Sequence, residues 1–177
     1  MKRGHKPDAF CKNVTEDKTT PSATEIERKF LVTETPPGLE RYPHATIRQG
    51  YLALDPDGTE VRIRQKGDRF FQTVKRGAGL QRLEVEFLLT RSQFEALWPL
   101  TQGRRVEKIR YDIAFDAHVI ELDVYDGALA GLLTAEVEFA SLEASAAFQP
   151  PPWLNQEITE DKRYKNKNLA TQGMPDG

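Results

Sequence analysis

The chain predicts a mainly β (α+β) fold, with eight short strands and a few flanking helices, and three observations predict it. Charged and apolar residues alternate in run after run, with the period of two that puts successive side chains on opposite faces of a strand. Gly, Pro and Asp cluster between the runs, where turns need residues that tolerate positive φ. Helical spacing is confined to brief stretches.

Residues 1–23 show no hydrophobic period and read as a disordered N-terminal extension. Strands are predicted near 24–32, 47–54, 59–66, 69–76, 81–90, 104–115, 118–126 and 133–140. Asp55-Pro56-Asp57-Gly58, Gly67-Asp68 and Gly77-Ala78-Gly79 supply turns between them. After the fifth strand, Ser92 to Leu100 reads as a helix, with Ser92 a candidate N-cap and Phe94, Leu97 and Trp98 an apolar stripe. Leu142 to Phe148 predicts a second short helix, stopped by Pro150-Pro151-Pro152. The polar segment Asn155 to Ala170 has room for another, and 171–177 reads as a flexible C-terminus, leaving 24–170 as one domain. There is no internal repeat.

Composition narrows the function classes. A content of 38% hydrophobic and 29% charged residues suits a soluble globular domain, and 177 residues suit one domain rather than two. Lys and Arg number 25 against 27 Asp and Glu, so no net charge draws the chain to nucleic acid or an anionic membrane. Cys11 is the single cysteine, which excludes an intramolecular disulfide and points to a reducing, cytoplasmic setting. Neither a transmembrane run nor the apolar centre of a signal peptide is expected.

The informative feature is where the charge falls. The first strand, EIERKF, carries Glu25, Glu27 and Lys29 on one side, with Ile26 and Phe30 on the other. Along the chain the same parity gathers Arg62 and Arg64, Lys75, then Arg82, Glu84 and Glu86, then Lys108 and Arg110, Glu121 and Asp123, and Glu136 and Glu138. The intervening positions are apolar. One such strand is an ordinary half-buried strand, wet on one face. A whole set whose charged faces are almost purely Glu, Asp, Lys and Arg is not ordinary. Closing eight strands into a barrel would aim every one of these groups at a single lumen. Charges crowded there must be paired, hydrated or bound to ligand. Guanidinium groups suit phosphate oxygens, and clustered carboxylates suit hard divalent ions. A lumen holding both fits a polyphosphate bound with Mg2+ or Mn2+.

These residues resemble the CYTH superfamily, also called triphosphate tunnel metalloenzymes. The resemblance is carried by Glu25-x-Glu27-x-Lys29, then Gln49-Gly50-Tyr51-Leu52, Arg62-Ile63-Arg64, Thr73-Val74-Lys75 and Glu84-Val85-Glu86. It continues through Lys108-Ile109-Arg110, Glu121-Leu122-Asp123, Glu136-Val137-Glu138 and the tail from Glu157-Ile158-Thr159 to Tyr164-Lys165-Asn166. It implies a closed eight-stranded antiparallel β-barrel tunnel and a metal-dependent triphosphatase. The compact bacterial members are the most similar, and they imply inorganic tripolyphosphate as substrate. On that resemblance Glu25, Glu27, Glu136 and Glu138 are expected metal ligands, with Asp123 a weaker one. Lys29, Arg62, Arg64, Lys75, Lys108 and Arg110 are expected to grip phosphate, with Arg82 a lesser contributor. Lys29 and Tyr51 match a catalytic lysine–tyrosine pair at the reacting end.

Other readings share the motifs. A nucleoside triphosphatase or class IV adenylate cyclase would need an adenine site, and no feature is dedicated to one. A thiamine triphosphatase would need a stacking surface, which Trp98 or Trp153 could supply only at the tunnel mouth. A polyphosphate-binding module would not require two intact E-x-E pairs. A barrel for single-stranded nucleic acid would want exposed aromatics among basic residues, where here the inward positions carry acids. Neither nucleic acid nor membrane is therefore an expected partner, and oligomeric state is not written in these residues.

Overall fold

The structure, a computed structural model, describes residues 26–76 and 83–176. The strands are β1 Ile26–Val32, β2 His44–Leu54, β3 Glu60–Lys66, β4 Arg69–Arg76, β5 Leu83–Leu89, β6 Arg105–Phe115, β7 His118–Tyr125, β8 Leu133–Phe139 and β9 Leu154–Glu157. Three short helices accompany them: α1 Arg91–Leu97, α2 Leu142–Ala147 and α3 Asn166–Gln172. The predicted extension over residues 1–23 lies outside the described residues, as do the Gly77-Ala78-Gly79 turn, Glu25 and Arg82.

The strands form one antiparallel sheet of nine, in the order β5-β4-β3-β2-β6-β7-β8-β1-β9. The expected closed eight-stranded barrel is therefore corrected to an open sheet. Among the described residues, the terminal strands β5 and β9 each pair along one side and not with each other. The physical reason is the ninth strand. β9 takes the outer edge of β1, pairing Phe30 with Glu157 and Val32 with Leu154, so the edge that a closing partner would need is already occupied. Its sequence, LNQE, is too short and too polar to announce itself as a strand. β2 also starts earlier than expected, at His44, because its partner β6 is long enough to extend the ladder to His44 opposite Tyr111.

Among the described residues two apolar clusters fasten the outside of the sheet, and a third closes one end of its inner face. Phe30, Ile120, Leu122 and Val137 pack with Phe148, beyond the end of α2, and with Leu154 of β9. Ile63 and Phe70 receive Phe94 and Trp98, whose rings stack at 5.3 Å. Tyr51, Val106 and Tyr125 are covered by Ile158, Tyr164, Leu169 and Ala170 of the C-terminal segment. The N-cap of α1 is Thr90 rather than Ser92. Thr90 Oγ1 accepts from the Gln93 amide at 3.2 Å and Gln93 Oε1 accepts from the Thr90 amide at 2.8 Å, a reciprocal capping box that Ser92 could not complete.

Gly50 shows how closely this outer layer seats. A Cβ at Gly50 would stand 2.5 Å from Thr101 Oγ1, and Thr101 is fully buried in the 3-10 turn that follows α1. The hydroxyl cannot yield, because it donates to the Trp98 carbonyl and accepts from Arg105 Nε. Gly50→Ala is therefore expected to lower the unfolding free energy by about 1–3 kcal/mol, the usual cost of overpacking. Urea denaturation of the two proteins measures it.

Candidate active site

Strand parity delivers the charged side chains to one face, and the curl of the sheet wraps that face around a cavity of about 450 Å³. Among the described residues six cations line it (Arg62, Arg64, Lys66, Lys75, Lys108 and Arg110) and so do six carboxylates, Glu27, Glu84, Glu86, Glu121, Glu136 and Glu138. The lining is thus close to neutral, and a polyanion entering it must bring or meet additional positive charge. Among the described residues no aromatic ring lines the cavity, and Ile47 is the apolar contributor.

Two kinds of neighbourhood divide it. On one side Arg110 is the hub. Its Nε and one terminal nitrogen each donate to Asp123 at 2.7 Å, a terminal nitrogen reaches Glu136 at 2.8 Å, and Glu121 is a further partner. Lys108 also holds Asp123, which is fully buried between the two cations. Lys29 Nζ donates to Glu136 at 2.8 Å and to the Tyr164 carbonyl at 3.0 Å. On the other side Lys75 pairs with Glu84, Arg62 stands 3.9 Å from Glu84, and Arg64 donates to Glu86 at 3.2 Å. There the arginines are under-served: among the described residues, the Nε atoms of Arg62 and Arg64 are buried without a hydrogen-bond acceptor. Burial and the adjacent Arg62 guanidinium pull the Arg64 pKa below its ordinary value.

Glu27 and Glu138 face each other directly across the β1–β8 ladder, both exposed to the cavity. Among the described residues no group of three or more His, Cys, Asp or Glu side chains is arranged to hold a metal ion unaided. The oxygen-only pair nonetheless fits a hard divalent ion that shares its coordination with a bound phosphate, as Mg2+ typically does with one or two carboxylates. Tyr51 is not itself a lining residue but stands beside the lining, opposite Arg62 in the β2–β3 ladder. It is buried among Val106, Tyr125 and Ile158, and its hydroxyl accepts from Gln49 Nε2 at 2.9 Å. Burial pushes its phenol up to about 12, so it stays protonated at neutral pH.

Three polar lining residues were not among the site residues named from sequence. Lys66 continues the Arg62, Arg64 parity and could have been found by extending it one step. Gln49 and Asn166 carry no charge pattern, though both stand in motifs that carry the resemblance; Asn166 reaches the cavity from the C-terminal segment.

The Glu136 carboxyl illustrates the electrostatic balance. Burial alone would raise its pKa, but Lys29, Lys108 and Arg110 outweigh burial and hold it far below the usual carboxylate range. A depressed folded pKa contributes stability that is fully present above the unfolded value, about 4.3, and is lost as pH falls through the folded one. In metal-free buffer, the stability difference between the wild type and Glu136→Gln should be flat near neutrality and should shift progressively below about pH 4. Urea titrations across a pH series test this.

An antiparallel sheet curled around matched guanidinium, ammonium and carboxylate groups defines a protein built to handle compact polyanions. The CYTH domain profile matches residues 23–173, and the chain belongs to that family. It is 53% identical over 149 residues to an inorganic triphosphatase of Nitrosomonas europaea, covering 83% of this chain and 97% of that protein. It is 36% identical to an inorganic triphosphatase of Acetivibrio thermocellus, covering 82% and 92%. A crystal structure of an inorganic triphosphatase superposes with a TM-score of 0.70 at 48% identity, covering 86% of this chain and 97% of that one.

Proposed function

We propose that the protein is a metal-dependent triphosphatase that hydrolyses inorganic tripolyphosphate to pyrophosphate and orthophosphate, using Mg2+ or Mn2+. The observation that carries this reading is the pair of buried, unmet Nε donors on Arg62 and Arg64, in a cavity shared with the facing Glu27–Glu138 pair. The lack of aromatic lining among the described residues favours a substrate without a heterocycle. Trp98 is buried against the outer face and Trp153 packs beside Phe30 and Leu154.

In this reading Arg62, Arg64, Lys75, Lys108 and Arg110 take phosphate oxygens, joined by Lys66 and, beyond the described residues, Arg82. Charge-assisted bonds to phosphate replace bonds to Glu84, Glu86 and Glu136, so the cations exchange one anion for another rather than losing solvation. Glu27 and Glu138, with Glu136 once it is released and with Glu25, would hold the divalent ion, and Asp123 would add negative charge from behind Lys108 and Arg110. The ion, when bound, supplies positive charge to the phosphate oxygens and acidifies a water molecule. Lys29 neutralises charge at the terminal phosphoryl group, and Tyr51 acts as a neutral hydroxyl behind it. Water attacks the terminal phosphorus in line, the bridging P–O bond breaks, pyrophosphate departs, and the water protons are shared between orthophosphate and solvent. Positioning and electrostatics suffice, without a covalent intermediate.

Phosphate release from tripolyphosphate, ATP, thiamine triphosphate and pyrophosphate, under matched Mg2+ or Mn2+, tests the assignment. Tripolyphosphate is expected to give the highest kcat/KM. Pyrophosphate should bind more weakly, because each phosphate contact left unmade forfeits about 1.5–3 kcal/mol before screening. A preference for either organic substrate would overturn the inorganic assignment.

A further inference from the structure

Asn166, the first residue of α3, lines the charged cavity and is pinned through its amide oxygen. Lys108 Nζ approaches its Oδ1 at 3.4 Å, and the Tyr125 hydroxyl donates to the same oxygen at 3.1 Å. An ammonium can only donate, so the amide must present its oxygen to Lys108 and turn its NH2 the other way. The support is rigid. Lys108 and Tyr125 are both buried, the ammonium lies 5.0 Å from the Tyr125 ring centroid, and Asp123 holds it from the far side.

We propose that Asn166 Nδ2 is a substrate-binding donor that hydrogen-bonds a phosphate oxygen of the bound polyphosphate, aimed by Lys108 and Tyr125. This rests on the triphosphatase reading above. The chemistry explains why a neutral group belongs among so many charges. Lys75, Lys108 and Arg110 are held by carboxylates and must be released before they can take phosphate. An amide NH2 attracts no carboxylate with comparable strength, so it is available to the first phosphate that arrives. Its contribution should depend on geometry rather than net charge, and should therefore resist added salt more than an arginine's does.

Two substitutions separate substrate contact from mere bracing of Lys108. Asn166→Ala removes both the oxygen and the NH2. Asn166→Asp keeps an acceptor for Lys108 and Tyr125 but has no NH2. Steady-state kinetics of the full chain on tripolyphosphate with Mg2+, paired with melting temperatures, provide the readout. Both variants are expected to lose about tenfold or more in kcat/KM, borne mainly by KM, as for loss of a hydrogen bond to a charged group. The Asn166→Ala penalty should hold as salt is raised, and Asn166→Asp should melt close to the wild type. Recovery in Asn166→Asp of what Asn166→Ala loses would overturn the proposal, since the oxygen alone would then suffice. So would kcat/KM within about twofold of wild type in both variants. A wild-type protein that leaves tripolyphosphate intact would overturn the underlying reading and this proposal with it.

Discussion

Glu138→Gln is expected to cut turnover of tripolyphosphate by at least about a hundredfold at limiting Mg2+, because charge stabilisation by a bound metal is worth several kcal/mol. The fold should not suffer. Glu138 is exposed to the cavity and sits opposite Glu27 in the β1–β8 ladder, where like charges oppose each other. Removing one of them should leave the metal-free protein as stable as before, or more so by up to about 1 kcal/mol. The diagnostic is therefore a split: activity collapses while the urea midpoint holds or rises. Excess Mg2+ or Mn2+ should restore part of the lost rate, since a remaining carboxylate still contributes ligands. Wild-type activity at limiting metal in this variant would show that the facing pair is not where the ion binds.

Arg110→Met should have the opposite profile, with a large loss of stability as well as of substrate binding. Arg110 bonds Asp123, Glu136 and Glu121 together, and Asp123 is fully buried. Removing one partner from a buried ionic network leaves uncompensated charge, which costs about 3–5 kcal/mol. Lys108 retains its bond to Asp123, so the lower end of that range is expected here. Adding Asp123→Asn to Arg110→Met should recover part of the stability, since it removes the stranded carboxylate. It should not recover tripolyphosphate binding, since the guanidinium that would meet phosphate remains absent. Denaturation curves and KM values on the single and double variants separate the two roles. Full recovery of both would mean that Arg110 serves the fold alone.

What could be read from the residues follows one physical rule. Side-chain alternation in a strand is local, so a run such as Glu27, Arg28, Lys29 already states which groups share a face, whatever the strand's partners are. For that reason Arg62, Arg64, Lys75, Lys108, Arg110, Glu136 and Glu138 could be grouped from sequence, and the structure brings all of them to one cavity. Chemistry could be inferred at the same level, because guanidinium and carboxylate groups mixed on one face have few stable uses other than a metal-accompanied polyanion.

What only the tertiary structure decided are the contacts between residues far apart in the chain. Closure was one. Whether the sheet ends meet depends on what claims the edge of β1, and a polar segment more than a hundred residues away claims it. Pairing was another: Lys29 holds Glu136 across a separation of 107 residues, and Lys108 meets Asn166 across 58. The burial of Tyr51 was a third, since its neighbours Tyr164 and Leu169 come from the C-terminal segment. Periodicity reports the side of a strand on which a residue stands. Which groups oppose it there is set by strand order and chain crossing, free-energy choices made by the whole molecule.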